Sequence, residues 1–257
     1  MRVESDSIVD GSMHIALELL WKKYRAAFEV DETTQTHELG RILDRGMVWA
    51  ENEAGMTDIL VTGINPSFRA GDTAESFAFR YRDVQHDSYY SEIRKTFFDD
   101  RLHAKAGYLD LFAVRETVQN RLSKFIKHPV GLSFIAEHLA ITQQEIERLH
   151  PRLIIVKNKG SWMFWGLQAT RIEDRWTNVW MGYTFETIPE FGNEIPCGAV
   201  RRITGMRDDP DRVGKTISKT NLVGTIVLFT NHLRYMKREF RPTPEFVSQL
   251  YDMASTR

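Results

Sequence analysis

Hydrophobic and polar positions change their spacing along the chain, and each change predicts a new element. Apolar residues at helical spacing predict amphipathic helices at residues 12–28, 88–98, 131–149 and 244–253. Short continuous apolar runs predict buried strands at residues 58–62, 107–112, 153–156 and 225–229. Shorter segments predict helices at residues 120–125 and 162–167, and residues 36–48 fit either a helix or an irregular wrap.

Strands that alternate with helices are typical of α/β proteins. We therefore expect an α/β fold, a three-layer α/β/α sandwich with a largely parallel central sheet. No Gly/Ser-rich or Pro-rich linker interrupts the chain, which favours a single domain over residues 1–257. Within it, residues 1–54 are expected to form an N-terminal helical wrap. Residues 171–224 mix short strand-like pieces, turns and basic residues, and are expected to be an irregular insertion.

Composition excludes several classes of function. The formal net charge is -1, which argues against binding by bulk positive charge but leaves room for a local basic face. The single cysteine, Cys197, excludes an internal disulfide framework and all-cysteine metal sites within one chain. No phosphate-binding glycine loop, nucleophile elbow or histidine pair at metal-binding spacing occurs, so no metal or cofactor is expected. Without a signal peptide or a membrane-spanning run, we expect a cytoplasmic protein with no membrane contact.

The most informative segment is the strand at residues 58–62 and the turn that follows it, Gly63-Ile64-Asn65-Pro66-Ser67. An apolar run that enters Gly and then Asn-Pro predicts a buried strand ending in a tight turn. The turn offers a carboxamide and a hydroxyl at the carboxyl edge of the sheet, where open α/β sheets bind ligands. An ordinary strand-to-loop turn uses the same residue types, so both interpretations stay open on this segment alone.

Several short segments between residues 55 and 240, taken in order, resemble the uracil-DNA glycosylase superfamily. Gly63-Ile64-Asn65-Pro66-Ser67 is similar to its first motif, in the form with Asn in place of a catalytic Asp. The strand Tyr108-Leu109-Asp110-Leu111-Phe112 resembles the strand whose end usually carries a base-reading Asn, and Leu153 to Ser161 resembles the next strand and turn. Phe229-Thr230-Asn231-His232-Leu233-Arg234 is similar to the second motif, with Leu233-Arg234 where the family has Pro-Ser.

The resemblance implies a role for each residue of the site. Asn65 and His232 would be catalytic, Asn65 by orienting a water and His232 by donating a hydrogen bond to a base carbonyl. Phe79 would stack on the extruded base, with Phe77 as the competing choice. The base pocket would be formed by Gly63, Ile64, Pro66, Ser67, Phe79, Asp110 and Asn231, of which Asn231 is also an alternative to His232. The structural alternatives are a turn-capping Asn65, a His232 satisfied by nearby backbone and a core Phe79.

Asp110 departs from the family pattern and bears on the identity of the base. An Asn can pair with both the donor and the acceptor of uracil, whereas an ionised Asp only accepts hydrogen bonds. Asp110 would repel O4 of uracil but accept a hydrogen bond from the exocyclic amino group of cytosine. This substitution favours a cytosine-type base as the target. The alternative is an Asp that caps a turn or pairs with Arg115.

Basic residues near the second motif predict a DNA-binding face. Contacts with DNA are expected from Arg201, Arg202, Leu233, Arg234 and Lys237. Leu233 or Arg234 would fill the gap that a flipped base leaves in the duplex. The alternative is that these basic residues form an ordinary solvated face.

These features together predict a monofunctional DNA glycosylase that acts on a flipped-out pyrimidine, with DNA as partner and no obligate protein partner inferred. No Lys lies in either motif, so a lyase step is not expected. Removal of modified cytosines, including the bulky forms found in some phage DNA, would make the protein an antiviral defence enzyme. The alternatives are a repair glycosylase for uracil or mismatches, a non-catalytic binder of modified or abasic DNA, and an unrelated α/β hydrolase or nucleotide-processing enzyme.

Overall fold

A six-stranded, mostly parallel sheet forms the centre of the protein. The structure, a computed structural model, describes residues 12–30, 34–84, 86–118 and 121–255. The strands along the chain are β1 (Val48–Glu51), β2 (Ile59–Gly63), β3 (Phe77–Arg80), β4 (Ala106–Asp110), β5 (Leu153–Lys157), β6 (Thr170–Ile172), β7 (Arg175–Thr177), β8 (Tyr183–Thr187), β9 (Gly198–Met206) and β10 (Ile226–Thr230). The order across the main sheet is β4-β2-β5-β10-β9-β8.

The sheet has a parallel part and an antiparallel part. β4, β2, β5 and β10 run parallel to one another, whereas β9 is antiparallel to β10 and β8 is antiparallel to β9. Two small sheets lie outside it, the parallel pair of β1 and β3 and the antiparallel hairpin of β6 and β7. The expectation of an α/β fold with a largely parallel sheet is confirmed.

The helices agree closely with the hydrophobic pattern. They are α1 (Ser12–Val30), α2 (Thr34–Leu43), α3 (Ser88–Phe97), α4 (Asp100–His103), α5 (Leu122–Lys127), α6 (Pro129–Leu149), α7 (Trp162–Trp165) and α8 (Pro244–Ser255). Local capping explains several ends: the Asp87 carboxylate accepts from the Tyr89 amide at the start of α3, and Thr243 Oγ1 accepts from the Phe246 amide at the start of α8. Residue 120 of the predicted helix 120–125 lies outside the described residues.

Two hydrophobic cores cover the two faces of the sheet. Alternate residues of the strands point to opposite faces, so Leu60 and Ile154 join one core while Val61 and Ile155 join the other. α1, α2, α5, α6 and α7 contribute to the first core, and α3, α4 and α8 contribute to the second. Helices on both faces explain why the parallel strands are continuous apolar runs.

Residues 171–224 differ from the irregular insertion that we expect from the sequence. They supply β8 and β9, which extend the central sheet, together with β7 and most of the β6–β7 hairpin. β9 is half-exposed and carries Arg201 and Arg202 between apolar positions, so it lacks the continuous apolar run of a buried strand. Residues 1–54, expected to form a helical wrap, contain α1, α2 and also the strand β1, while residues 1–11 and 31–33 lie outside the described part of the chain.

None of the described helices is both long enough and apolar enough to span a membrane.

Candidate functional site

A cleft of about 1070 Å³ lies at the carboxyl edge of the parallel strands. The ends of β2, β4 and β5 form its floor, and β3, α3 and the segment after β10 form its walls. The cleft brings together ten of the residues predicted from the sequence: Gly63, Ile64, Asn65, Pro66, Ser67, Phe79, Asp110, His232, Leu233 and Arg234. The pieces of the two motifs, far apart in the chain, therefore meet at one edge of the sheet.

Strand register explains which side chains meet on the floor of the cleft. Gly63 is paired with Asp110 across β2 and β4, and Thr230 is paired with Lys157 across β10 and β5. β2 and β5 pair Thr62 with Val156, so Gly63 lies level with Lys157 one residue further on. Cross-strand neighbours point to the same face, and this row faces the layer that contains α3.

The Asn65 carboxamide is held by backbone carbonyls on its donor side. Its Nδ2 donates to the carbonyl oxygens of Glu116 at 2.7 Å, Pro66 at 2.9 Å and Val114 at 3.3 Å. Its Oδ1 is buried and has no hydrogen-bond partner in the described part of the chain. Because the donors are fully engaged, the amide orientation is fixed, and the buried oxygen keeps an acceptor capacity that no described group uses.

Asp110 lies on the floor of the cleft in an unusual environment. Its Oδ1 accepts from the Tyr108 hydroxyl at 2.7 Å, and the Tyr108 and Tyr89 hydroxyls lie 3.0 Å apart. Burial raises the pKa of the Asp110 carboxyl to about 7, against the opposing effects of the Tyr108 hydrogen bond and the Lys157 charge. The carboxyl can therefore change its protonation state near neutral pH.

Arg115 does not pair with Asp110, so this structural alternative for Asp110 is wrong. Its guanidinium donates to the Asp72 carboxylate at 3.0 Å and to the Thr73 carbonyl at 2.6 Å. These contacts attach the loop after β2 to the segment after β4. Asp110 has no hydrogen-bond partner other than Tyr108 among the described residues.

Lys157 is a functional candidate that the sequence interpretation missed. Its side chain is buried at the end of β5, and its Nζ lies 4.1 Å from the centroid of the Tyr89 ring. Burial lowers the pKa of Lys157 to about 8, although the nearby Glu92 and Asp110 carboxylates raise it. A lysine that closes an apolar run is ordinarily a solvated strand end, and only the strand register indicates otherwise.

His232 begins a short 3₁₀ segment, Leu233–Tyr235, after β10. Its Nδ1 accepts from the Arg234 amide at 3.2 Å, so the neutral ring carries its proton on Nε2. Burial lowers the pKa of His232, and the positive charges of Lys157 and Arg234 lower it further. His232 lines the cleft, and its Nε2 has no hydrogen-bond partner among the described residues.

Aromatic rings form one wall of the cleft. Phe79 lies 5.2 Å from the Tyr90 ring and 6.4 Å from the Tyr108 ring, between ring centroids. Phe77 also lines the cleft but is 42% exposed, and its ring lies near the Arg115 guanidinium. Because Phe79 adjoins Tyr108, whose hydroxyl holds Asp110, it is the better placed of the two to contact a base that reaches Asp110.

Some predicted residues lie elsewhere. Asn231 and Lys237 do not line the cleft, so His232 is preferred to Asn231 as the donor. Arg201 donates to the Asn193 carbonyl at 2.7 Å, and Arg202 donates to the Glu186 carboxylate at 3.2 Å. Because β9 is antiparallel to β10, its residues after Gly198 run back towards the amino edge of the sheet, away from the second motif. The contact of Arg201 and Arg202 with DNA stays a prediction that this placement does not favour.

Leu233 is also misplaced by the sequence interpretation. It is only 1% exposed and packs in the core beneath the second motif, so it is not available to enter a duplex. Tyr235, two residues on, is 83% exposed and lies 5.2 Å from the His232 ring. Of the two residues expected to fill the gap in the duplex, only Arg234 is exposed enough for that role. Tyr235 is a second candidate for it because its side chain is exposed.

Two further basic residues line the cleft, and little in the sequence indicates that they belong to it. Arg69 follows the first motif by two residues, and Lys95 lies on α3; both line the cleft with Arg234.

Among the described residues, no group of three or more His, Cys, Asp or Glu side chains is arranged to hold a metal ion.

Comparisons of the chain with protein-family models, with curated proteins and with solved structures give no match. The interpretation of the cleft therefore rests on its own geometry and chemistry, together with the sequence motifs.

Proposed function

We propose that the protein is a monofunctional DNA glycosylase of the uracil-DNA glycosylase kind, acting on a flipped-out cytosine-type pyrimidine. The observation that carries the proposal is the convergence of Asn65, Asp110 and His232, from three distant segments, in one cleft with an aromatic wall. A base drawn out of its stack needs a ring to lie against, polar groups for its edge and a positioned water at its sugar. The cleft offers a candidate for each.

Asn65 supports the hydrolytic step because its amide oxygen is the free acceptor. It would accept a hydrogen bond from a water below C1′, which it orients without deprotonating it. The bond between C1′ and the base breaks with its electron pair moving into the base, the water oxygen bonds to C1′, and the water loses a proton to solvent. The neutral His232 donates from Nε2 to the base carbonyl as negative charge grows there.

Asp110 supports a cytosine-type base. Its carboxylate has the Tyr108 hydroxyl as its hydrogen-bond donor and keeps acceptor capacity for an exocyclic amino group. The 4-carbonyl of uracil would meet the ionised carboxylate with repulsion, so the preference for a cytosine-type base is expected above about pH 7.

The size of the cleft supports a substituted base and hence the antiviral role. At about 1070 Å³ it exceeds what one pyrimidine ring requires and lies at the upper end of the range for ligand sites. The spare volume suits a bulky group on the base, together with the adjoining DNA backbone. Modified cytosines of this kind occur in some phage DNA, and their excision would interrupt replication of the incoming genome.

The first experiment is an excision assay. Oligonucleotides that carry cytosine, 5-hydroxymethylcytosine, glucosylated 5-hydroxymethylcytosine or uracil at one position are incubated with the protein and tested for alkali-labile sites. We expect release from a cytosine-type substrate and a loss of roughly 100-fold or more in Asn65→Ala. Asn231→Ala is the matched control, because Asn231 lies outside the cleft, and it is expected to retain activity.

The outcomes separate the alternatives. Release of uracil that survives Asp110→Asn would support a repair glycosylase instead. Tight binding of modified or abasic DNA without any release would support the non-catalytic binder. If the protein neither binds any of these DNAs nor releases a base from them, the proposal is contradicted.

A further inference from the structure

Lys157 is a buried cation that forms no direct ion pair with the described residues. Its side chain is 5% exposed, and in the described part of the chain it makes no hydrogen bond or ion pair, only the contact with the Tyr89 ring. Buried charges in folded proteins are normally paired or bind a ligand. Since Lys157 lines the cleft, its ammonium is oriented for an acceptor that a ligand brings.

The Glu92 and Asp110 carboxylates both raise the pKa of Lys157, Glu92 more than Asp110, and neither forms an ion pair with it in the described part of the chain. Lys157 and Asp110 lie on separate strands. β2 lies between their strands, so their Cα atoms are separated by about 10 Å at the usual strand spacing. Gly63 lies between them at the same level, and the Asp110 carboxylate and the Tyr108 hydroxyl lie over it, where a side chain would otherwise be. Asp110 and Lys157 do not form an ion pair with each other. An acceptor and a donor thus lie on the floor of the cleft without a direct bond between them, and we expect the edge of a planar ring to reach both.

The order of groups along the sheet edge can be compared with the edge of a base. From β4 through β5 to the segment after β10, the cleft presents an acceptor at Asp110, a donor at Lys157 and a donor at His232. The Watson–Crick edge of cytosine presents the N4 amino donor, the N3 acceptor and the O2 acceptor in that order. Uracil presents the O4 acceptor, the N3–H donor and the O2 acceptor. Cytosine complements the cleft at all three positions, whereas uracil complements it only at O2.

We propose that Lys157 is a specificity-determining residue of the base pocket, which donates a hydrogen bond to N3 of a flipped cytosine-type base. Asp110 accepts from the N4 amino group of that base, and His232 donates to its O2. The inference rests on the proposed glycosylase function and adds the residue that rejects uracil at its N3–H. No bond is made or broken by Lys157 in this role.

The position of Lys157 favours this role over that of a nucleophile. Its nearest contact is Tyr89, whose hydroxyl meets that of Tyr108, the donor to Asp110. The Lys157 ammonium therefore lies near Tyr89 and, through the two tyrosine hydroxyls, near Asp110, which we expect to bind the edge of the base. Asn65, on the turn after β2, is the group assigned to the sugar.

The test compares base release from one oligonucleotide series by variants of Lys157. Lys157→Met removes the donor and keeps the length of the side chain, and Lys159→Met is the matched control because Lys159 is exposed and outside the cleft. We expect Lys157→Met to lose roughly 10- to 100-fold on the best cytosine-type substrate and little or nothing on uracil, so that selectivity falls by the same factor. Lys159→Met should leave both rates unchanged.

A second variant distinguishes a change of specificity from misfolding of Lys157→Met. In Lys157→Gln the amide oxygen can accept from N3–H, so this variant is expected to gain activity on uracil relative to cytosine-type bases. Melting temperatures of both variants at or above that of the native protein would show that the fold is intact.

The inference and the proposed function fail in different ways. Equal loss on both substrates, or unchanged selectivity in both variants, would overturn the inference while the glycosylase function stands. Covalent trapping of Lys157 on abasic DNA by borohydride would also overturn it, because the lysine would then be a nucleophile. If the native protein releases no base from any oligonucleotide, the proposed function fails and the inference fails with it.

Discussion

Gly63 is the residue on which the geometry of the cleft depends most directly. A Cβ atom at this position would overlap the Asp110 carboxylate and the Tyr108 hydroxyl. The absence of a side chain in β2 therefore lets polar groups of β4 lie beside the turn that carries Asn65. A glycine is needed at this position because a side chain would clash with its neighbours. Backbone conformation does not require it, since Gly63 does not adopt a positive φ.

Asp110 is expected to reduce the stability of the fold at neutral pH. Its pKa is raised from 3.8 in the unfolded chain to about 7, so the native state favours the protonated form. The stability linked to that form is complete below about pH 4 and is lost as the pH rises through 7. Asp110→Asn removes this titration, so the variant should be more stable than the native protein by up to about 4 kcal/mol at about pH 8 and by much less at about pH 5.

Urea unfolding at the two pH values measures this difference. Asp174→Asn is the control, since its side chain is 99% exposed on the β6–β7 hairpin, and it should show no such pH dependence. A stability difference for Asp110→Asn that is the same at both pH values would contradict the raised pKa. We expect Asp110→Asn to be more stable than the native protein but to lose base excision, because functional sites commonly reduce the stability of the fold.

At the scale of elements, the sequence predicts the buried strands well and the half-exposed strands poorly. β2, β5 and β10 are covered on both faces and appear as unbroken apolar runs. β8 and β9 carry polar and charged residues at their exposed positions, so periodicity alone does not separate them from turns.

The candidate site was predictable where local chemistry marks it. The turn at Asn65 follows an apolar run directly, and His232 follows another, so both could be located from the sequence. Lys157 could not, because its neighbours in the chain give no sign that it is buried. Only the pairing of β5 with β2 and β10 brings it level with Gly63 and Asp110.

The segment after β10 presents Tyr235 in a fixed position. Arg241 donates to the Leu233 carbonyl at 2.8 Å and to the Glu92 carboxylate at 3.1 Å, and Leu233 is buried beneath. The segment is thereby anchored on both sides of an aromatic side chain that is 83% exposed. This arrangement suits a wedge that occupies the space of a flipped base.

Tyr235→Ala should therefore impair excision from duplex DNA more than from single strands. We expect a loss of roughly 10- to 100-fold on duplex, because base opening is no longer compensated, and little change on single-stranded DNA, where no gap forms. Tyr235→Phe keeps the ring and should keep duplex activity. Parallel rate measurements on the two DNA forms test this, and equal losses on both would exclude a wedge.

The whole molecule has a formal net charge of -1, so the DNA binding that we propose would have to come from a local surface. The cations that line the cleft and are exposed at its rim are Arg69, Lys95 and Arg234. Arg201 and Arg202 are engaged within the protein at the antiparallel part of the sheet. If DNA binds at the cleft, we therefore expect about three phosphate contacts there.

This number predicts how binding responds to salt. With about three phosphates neutralised, the logarithm of the association constant should fall with the logarithm of salt concentration with a slope of about -2.7, or roughly 40-fold between 50 and 200 mM. Arg234→Ala should make the slope shallower by about 1, because one contact is lost, whereas Arg202→Ala should leave it unchanged. Fluorescence anisotropy with a duplex of fixed length over a salt series measures both slopes. A native slope near zero, or a larger effect of Arg202→Ala than of Arg234→Ala, would move the DNA-binding face away from the cleft.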